Sequence, residues 1–170
     1  MAAKYQLDVV ICLHGAPGSQ NGHDHSGRKG RAAWYDTSEY RVQTTDILVR
    51  IATRYRLHPA LWGIELLNEP KTMLFQGKLR MFYRHAYSAL QEVLPPTVRI
   101  IFSDAFMPNL LSGAIRKAKV PVMMDIHWYH FTYWAFRWTP LAWYYKIIVP
   151  LHRLTLKWVS RRQPVINYLS

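Results

Sequence analysis

The chain has 170 residues, 50% of them hydrophobic and 19% charged, which favours a packed core and argues against a long disordered tail. Its 22 Lys and Arg against 10 Asp and Glu give a formal charge of +12, so polyanions are favoured partners although charge alone names none. The one cysteine, Cys12, excludes an internal disulfide and any cysteine-rich zinc module.

The first predicted element is a short apolar strand, Asp8 to Leu13, in which Cys12 reads as a small buried hydrophobe. No long apolar run precedes Asp8, so no secretory signal is legible there. A loop rich in Gly, Ser, Asn and Asp follows from His14 to Asp36. The spacing of Ile47, Leu48, Ile51, Ala52 and Tyr55 predicts a helix over Ser38 to Arg56, with Thr37 or Ser38 as its cap. Leu61 to Leu67 is a second strand running into Asn68-Glu69-Pro70. Leu79, Phe82, Tyr83, Ala86, Leu90 and Val93 mark one face of a helix over Gly77 to Val93, and Pro95-Pro96 stops it.

Val98 to Phe102 is a third strand and Leu110 to Lys119 a short helix. A fourth strand, Val120 to Ile126, ends in His127-Trp128-Tyr129-His130. An aromatic loop and a basic helix from about Tyr144 to Arg161 come next, and Pro164-Val165-Ile166 begins a fifth strand. The most apolar stretch, Phe131 to Leu151, is interrupted by Arg137, Pro140, Lys146 and Pro150. A membrane-spanning helix wants about 20 unbroken apolar residues, so an aromatic loop or interfacial patch is the better reading.

Strands alternating with helices, each strand near-continuously apolar, predict the α/β class with a parallel sheet. In such folds chemistry gathers at the carboxyl ends of the strands. Here those ends carry His14, then Asn68 and Glu69, then Ser103 and Asp104, then His127 and Tyr129. Glu69, held extended by Pro70, is placed to point into a pocket, and the apolar neighbours Trp62 and Leu67 can desolvate it. The plainer alternative is a turn carboxylate that caps a helix.

The segment Leu13-His14-Gly15-Ala16-Pro17-Gly18-Ser19-Gln20-Asn21-Gly22, running on to Asp24 and Ser26-Gly27, resembles the long third-strand loop of exo-β-1,3-glucanases in glycoside hydrolase family 5. Gly63-Ile64-Glu65-Leu66-Leu67-Asn68-Glu69-Pro70 is similar to that family's fourth-strand signature. Ser103-Asp104-Ala105-Phe106 resembles its fifth strand end, and Asp125-Ile126-His127-Trp128-Tyr129 its sixth.

The resemblance implies a partial (β/α)8 barrel, strands three to six plus the start of the seventh, with residues 1–170 as one incomplete catalytic domain. It also implies retaining hydrolysis of a β-1,3-glucan or related glucan in polysaccharide catabolism, outside the cell or at its surface. Glu69 takes the place of the general acid/base, and Asn68 that of the residue holding the sugar 2-hydroxyl. His14, His127 and Tyr129 match residues that orient sugar and carboxylates; Asn21, Asp24, His25 and Trp128 fall on substrate-binding positions. No cofactor, metal or nucleic acid is implied, and the partner is a β-glucan or oligosaccharide.

Two departures stand out. His25 replaces the family's usual Asn, and His23 an aromatic. Where the family continues from its seventh strand into Gly-Glu-Trp-Ser with the nucleophilic Glu, this chain has Ile166-Asn167-Tyr168-Leu169-Ser170, and no carboxylate side chain follows Asp125. Retaining cleavage needs two carboxyls about 5–5.5 Å apart, so the expectation is a site with its acid/base and no nucleophile.

Other patterns carry plainer expectations. His14, His23, Asp24 and His25 have metal-ligand chemistry but suit a sugar-binding loop equally well. The Gly15 to Gly22 loop lacks the Gly-Lys-Ser/Thr ending of a phosphate cradle. Glu65, sharing strand parity with Glu69, is expected deep in the fold beside a basic partner, and Asp125 in a structural hydrogen bond. The basic clusters Arg28-Lys29-Gly30-Arg31 and His152 to Arg162 are expected as solvated faces, with nucleic-acid or membrane-surface binding as the alternative.

Overall fold

The computed structural model of the chain describes residues 1–72, 75–115, 119–128, 140–162 and 164–169. Its strands are β1 (Val9–Cys12), β2 (Leu61–Glu65), β3 (Arg99–Ser103), β4 (Val122–Trp128) and β5 (Val165–Leu169). They form one sheet in the order β1-β2-β3-β4-β5, every neighbour parallel. Cys12 lies opposite Glu65, Glu65 opposite Ile101, and Ser103 opposite Asp125, so the carboxyl ends of β1 to β4 share one rim.

Parallel strands need covered connections, and two long helices supply them. Helix α1 (Ser38–Tyr55) starts where the Tyr40 amide donates to the Thr37 hydroxyl, and it buries Thr44, Thr45, Leu48 and Ala52. Helix α2 (Gln76–Gln91) buries Leu79, Phe82, Tyr83, Ala86, Tyr87 and Leu90. Both stripes enter the core that Ile64, Ile100, Phe102, Met124 and Ile126 complete from the strands. Along β4 the residues alternate, so Met124 and Ile126 face this core while Asp125 and His127 face the other side of the sheet.

The expected alternation and parallel sheet are present, with four local differences. Tyr55, predicted on the buried face of α1, is exposed; the buried polar pair Thr44 and Thr45 takes that role by donating hydroxyls to the Tyr40 and Arg41 carbonyls. Strand β4 runs on through His127 and Trp128 because both pair with β5. The helix predicted over Leu110 to Lys119 is only α3 (Pro108–Leu111), since Gly113 at φ 74° turns the chain; residues 116–118 lie outside the described residues. The basic helix consists of α4 (Leu141–Trp143), a π-helical turn (Tyr144–Ile148) and α5 (Val149–Ser160). Pro150 donates no amide to the carbonyl of Lys146, and a widened turn immediately before it accommodates that loss.

The loop between β1 and α1 belongs to the core as well. Trp34 and Tyr35 are fully buried, edge-on to one another, with Trp34 edge-on to Phe82 and Tyr35 stacked on Phe75. The Trp34 indole N–H donates to Thr44, which explains the hydroxyl in the middle of α1.

Candidate active site

The rim is assembled by one buried amide. Gln20 donates Nε2 to the carbonyls of His14 (2.7 Å) and Asn68 (2.9 Å), accepts the Ala16 amide on Oε1 (3.1 Å), and offers its own carbonyl to the Lys71 amide. It therefore ties the end of β1 to the end of β2. Asn21 continues the clamp: Nδ2 donates to the Glu69 carbonyl at 2.9 Å while Oδ1 accepts the His23 amide at 2.8 Å. The loop can lie this close because Gly22 has φ 79°, and a Cβ there would meet the Gly30 carbonyl oxygen at 2.6 Å.

Clamped in this way, Glu69 adopts φ 43°, in the left-handed region rather than the extended geometry that Pro70 alone predicts. Such a conformation in a residue with a side chain costs energy, and the surrounding hydrogen bonds hold it. The carboxylate is met from two sides. Nδ1 of His127 lies 2.8 Å from Oε1, and Nε2 of His25 lies 3.6 Å from Oε2. Asn68 lies 3.3 Å from His25 Nδ1 through its amide nitrogen. An amide NH2 can only donate, which puts the His25 proton on Nε2, facing Glu69.

His127 also meets Asp125 Oδ2 at 3.1 Å through Nε2. Two carboxylates on one imidazole favour its protonated form: first the hydrogen bond to Asp125, then that to Glu69, push the His127 pKa up to about 10 against the opposing effect of burial. A half-exposed His25 and a nearly buried imidazolium thus bracket Glu69.

Beneath them lies a layer of buried acids. Glu65 is 4% exposed, its Oε1 has no hydrogen-bond partner among the described residues, and burial pushes its pKa up to about 7. The expected basic neighbour is His127, whose positive charge favours the carboxylate; the Cys12 thiol hydrogen-bonds to Glu65, and Asp125 adds like charge. Burial and the Glu65 carboxylate both raise the Cys12 thiol, consistent with an unreactive side chain. Asp104 is fully buried and accepts the backbone amides of Phe106 and His127, yet burial still pushes it up to about 7. Ligand atoms of Glu65, Asp125 and His127 lie within 4.8 Å of one another, a spacing that can hold a cation. The His127 imidazolium already places positive charge against Asp125.

Of the residues expected at the site, Glu69, Asn68, His25 and His127 come together around one carboxylate. His14 sits exposed at the end of β1, tied in through its carbonyl. Asn21 commits both ends of its amide to backbone instead of a ligand. Asp24 pairs with Lys29 on the surface. Trp128 faces away from His127 and stacks on His152 at 4.1 Å. Trp62 lies under the Arg99 guanidinium at the amino end of β2, so it does not desolvate Glu69. Tyr129 lies outside the described residues. Gln20 was not foreseeable as a clamp, because a polar residue in a Gly-rich loop carries no burial signal.

Comparison with known proteins fits this geometry. No family model matches the chain. A glucan 1,3-beta-glucosidase of Pichia angusta is 37% identical over 111 residues, 63% of this chain and 25% of that protein. Glucan 1,3-beta-glucosidase 1 of Schizosaccharomyces pombe is 32% identical over 134 residues, 75% and 32% of the two chains. Among solved structures, rutinosidase from Aspergillus niger superposes with a TM-score of 0.66 at 17% identity, over 76% of this chain and 41% of that one. An endoglucanase from Pseudomonas stutzeri superposes with a TM-score of 0.61 at 18% identity, over 94% and 49%. The sheet and its rim thus have the fold of part of a (β/α)8 barrel. Within that class the chain is a glycoside hydrolase family 5-like segment, similar in sequence to glucan 1,3-beta-glucosidases. It spans between a quarter and a third of the length of the curated relatives named here.

Proposed function

We propose that these 170 residues supply the proton-donating side of a retaining β-glucan-cleaving site, as one incomplete catalytic domain that acts outside the cell or at its surface. Glu69 is the general acid/base. It protonates the glycosidic oxygen as the bond to the anomeric carbon breaks, and later takes a proton from the attacking water. Asn68 holds the sugar 2-hydroxyl. His127 and His25 hold the Glu69 carboxyl in place, and His14, Tyr129 and Asp24 complete the contacts to substrate.

One observation carries this reading: Glu69 stands at a strand end in a strained backbone conformation, between two imidazoles from two other segments of the chain. Strain held by surrounding structure is a mark of functional positions.

The nucleophile comes from outside these residues. Asp125 is occupied behind His127, Asp104 accepts two backbone amides, and Glu65 lies one layer deeper beside Cys12. The isolated chain therefore binds β-glucan without cleaving it. A purely carbohydrate-binding role is the second reading, favoured by the absence of any carboxylate side chain after Asp125.

The test is a titration of the chain with a β-1,3-linked glucose oligomer, followed by NMR at the His25 and His127 imidazoles. Both resonances are expected to shift saturably, and E69Q is expected to keep the binding. Shifts confined to other residues, or no binding, would overturn the reading.

A further inference from the structure

The two basic clusters differ in their surroundings. In the first, Lys29 pairs with Asp24 and Arg31 with Asp36. In the second, Arg153, Lys157, Arg161 and Arg162 have no carboxylate partner among the described residues, and the sequence has no Asp or Glu beyond Asp125. This second cluster lies on and just beyond α5, whose inner face is anchored by buried Val159, by Leu156 against the core and by His152 on Trp128.

The outer face of the same segment is apolar. Trp143 is 61% exposed, Ile147 43%, Leu151 53%, Leu154 63% and Trp158 37%. Leu151, Leu154 and Trp158, at steps of three and four residues, form a stripe on one face of α5, and Trp143 and Ile147 precede them at and within the π-helical turn. Lys146, Arg153, Lys157 and Arg161 run along one flank of the stripe at helical spacing, and Arg162 lies on the other with its guanidinium 3.7 Å from the Trp158 ring centroid. Asn109, Leu154, Thr155, Lys157, Trp158 and Arg161 line an open groove beside it, where lysine and arginine stand next to apolar side chains. A helix whose polar face carries the cations and whose apolar face looks outward, without the length to span, has the build of an interfacial helix.

We propose that the segment from Trp143 to Arg162 is a docking surface for an anionic lipid bilayer, with Ile147, Leu151, Leu154 and Trp158 entering the headgroup–acyl boundary and the flanking cations meeting lipid phosphates. Charge complementarity selects this occupant. A second copy of a chain of charge +12 would bring two unpaired cation rows together, and a nucleic acid would leave the Ile and Leu stripe uncovered. The surface lies on the helix side of β4, away from Glu69, so docking and glycan binding do not compete.

The experiment is co-sedimentation of the full chain with sucrose-loaded vesicles of pure phosphatidylcholine, and of 70% phosphatidylcholine with 30% phosphatidylserine. Binding is expected on the anionic vesicles, at least tenfold weaker on the neutral ones, and falling steeply with salt. Each cation near an anionic surface contributes on the order of a fivefold change, so K157Q/R161Q is expected to weaken binding by about tenfold or more. L151S/L154S, at exposed positions that leave the far-ultraviolet circular dichroism unchanged, is expected to weaken it by a similar factor. The proposal is overturned by absence of binding to anionic vesicles at low salt, or by binding indifferent to both double variants. It is equally overturned by a dimer that L151S/L154S dissolves, or by oligonucleotide binding without vesicle binding.

Discussion

Nδ1 of His127 stands 2.8 Å from Oε1 of Glu69. The other nitrogen of the same ring meets Asp125, so a neutral imidazole, with one N–H, cannot donate to both. A protonated ring donates to both, the state that the raised pKa of His127 favours.

The first expectation is a titration. In the folded chain His127 is expected to stay protonated at pH 8, with its pKa raised from 6.5 to about 10, the Asp125 hydrogen bond being the larger cause and Glu69 the next. Nitrogen-detected NMR of the imidazoles reads this directly. D125N is expected to bring the value down further than E69Q does. A His127 that titrates near its ordinary value in the unmodified chain would show that the two contacts are not those of an imidazolium.

The second concerns stability against pH. Glu65 is raised from 4.5 to about 7 and Asp104 from 3.8 to about 7, both by burial, so the native state holds protons that the unfolded state has released. What they contribute is full below their unfolded values and is lost as pH rises toward and through about 7. E65Q keeps the side-chain size and removes one of these titrations. Urea midpoints of E65Q relative to the unmodified chain are expected to improve steadily from pH 4.5 to pH 8. A constant difference across that range would mean Glu65 does not change protonation on unfolding.

The third is the loop clamp. Q20A removes three side-chain hydrogen bonds and leaves the carbonyls of His14 and Asn68 short of a donor. Unsatisfied buried groups cost about 1–3 kcal/mol each, so a total loss of about 2–4 kcal/mol is expected by urea unfolding. Sugar binding is expected to fall as well, because Glu69 loses its fixed placement. A loss under about 0.5 kcal/mol, the scale of an ordinary surface change, would contradict the clamp.

Much of this was legible in the sequence, and the parts that were not have physical reasons. Strand and helix order followed from apolar runs and from Leu79, Phe82, Tyr83, Ala86 and Leu90 at helical spacing. The convergence of Glu69, Asn68 and His127 followed from strand ends sharing a rim. What escaped were side chains whose chemistry hides their role. Thr44 is polar but buried, because Trp34 donates to it from a loop. Trp62 looked like a neighbour of Glu69 along the chain, yet a strand's length separates the two. Glu65 has the expected cation nearby in His127, but its hydrogen bond is to the Cys12 thiol, a contact the strand pattern does not announce.

The most direct test of Glu69 as proton donor uses the chain embedded in a longer barrel polypeptide that supplies the remaining strands and a nucleophilic carboxylate. Hydrolysis is measured on a β-1,3-linked glucose oligomer and on an aryl β-glucoside whose phenol leaves without protonation. E69A is expected to cut kcat/KM on the oligomer by about 10²–10⁴-fold, the range typical of a general acid, while formation of the glycosyl intermediate from the aryl substrate stays within about tenfold. Equal losses on both substrates, or full activity on the oligomer, would contradict the assignment.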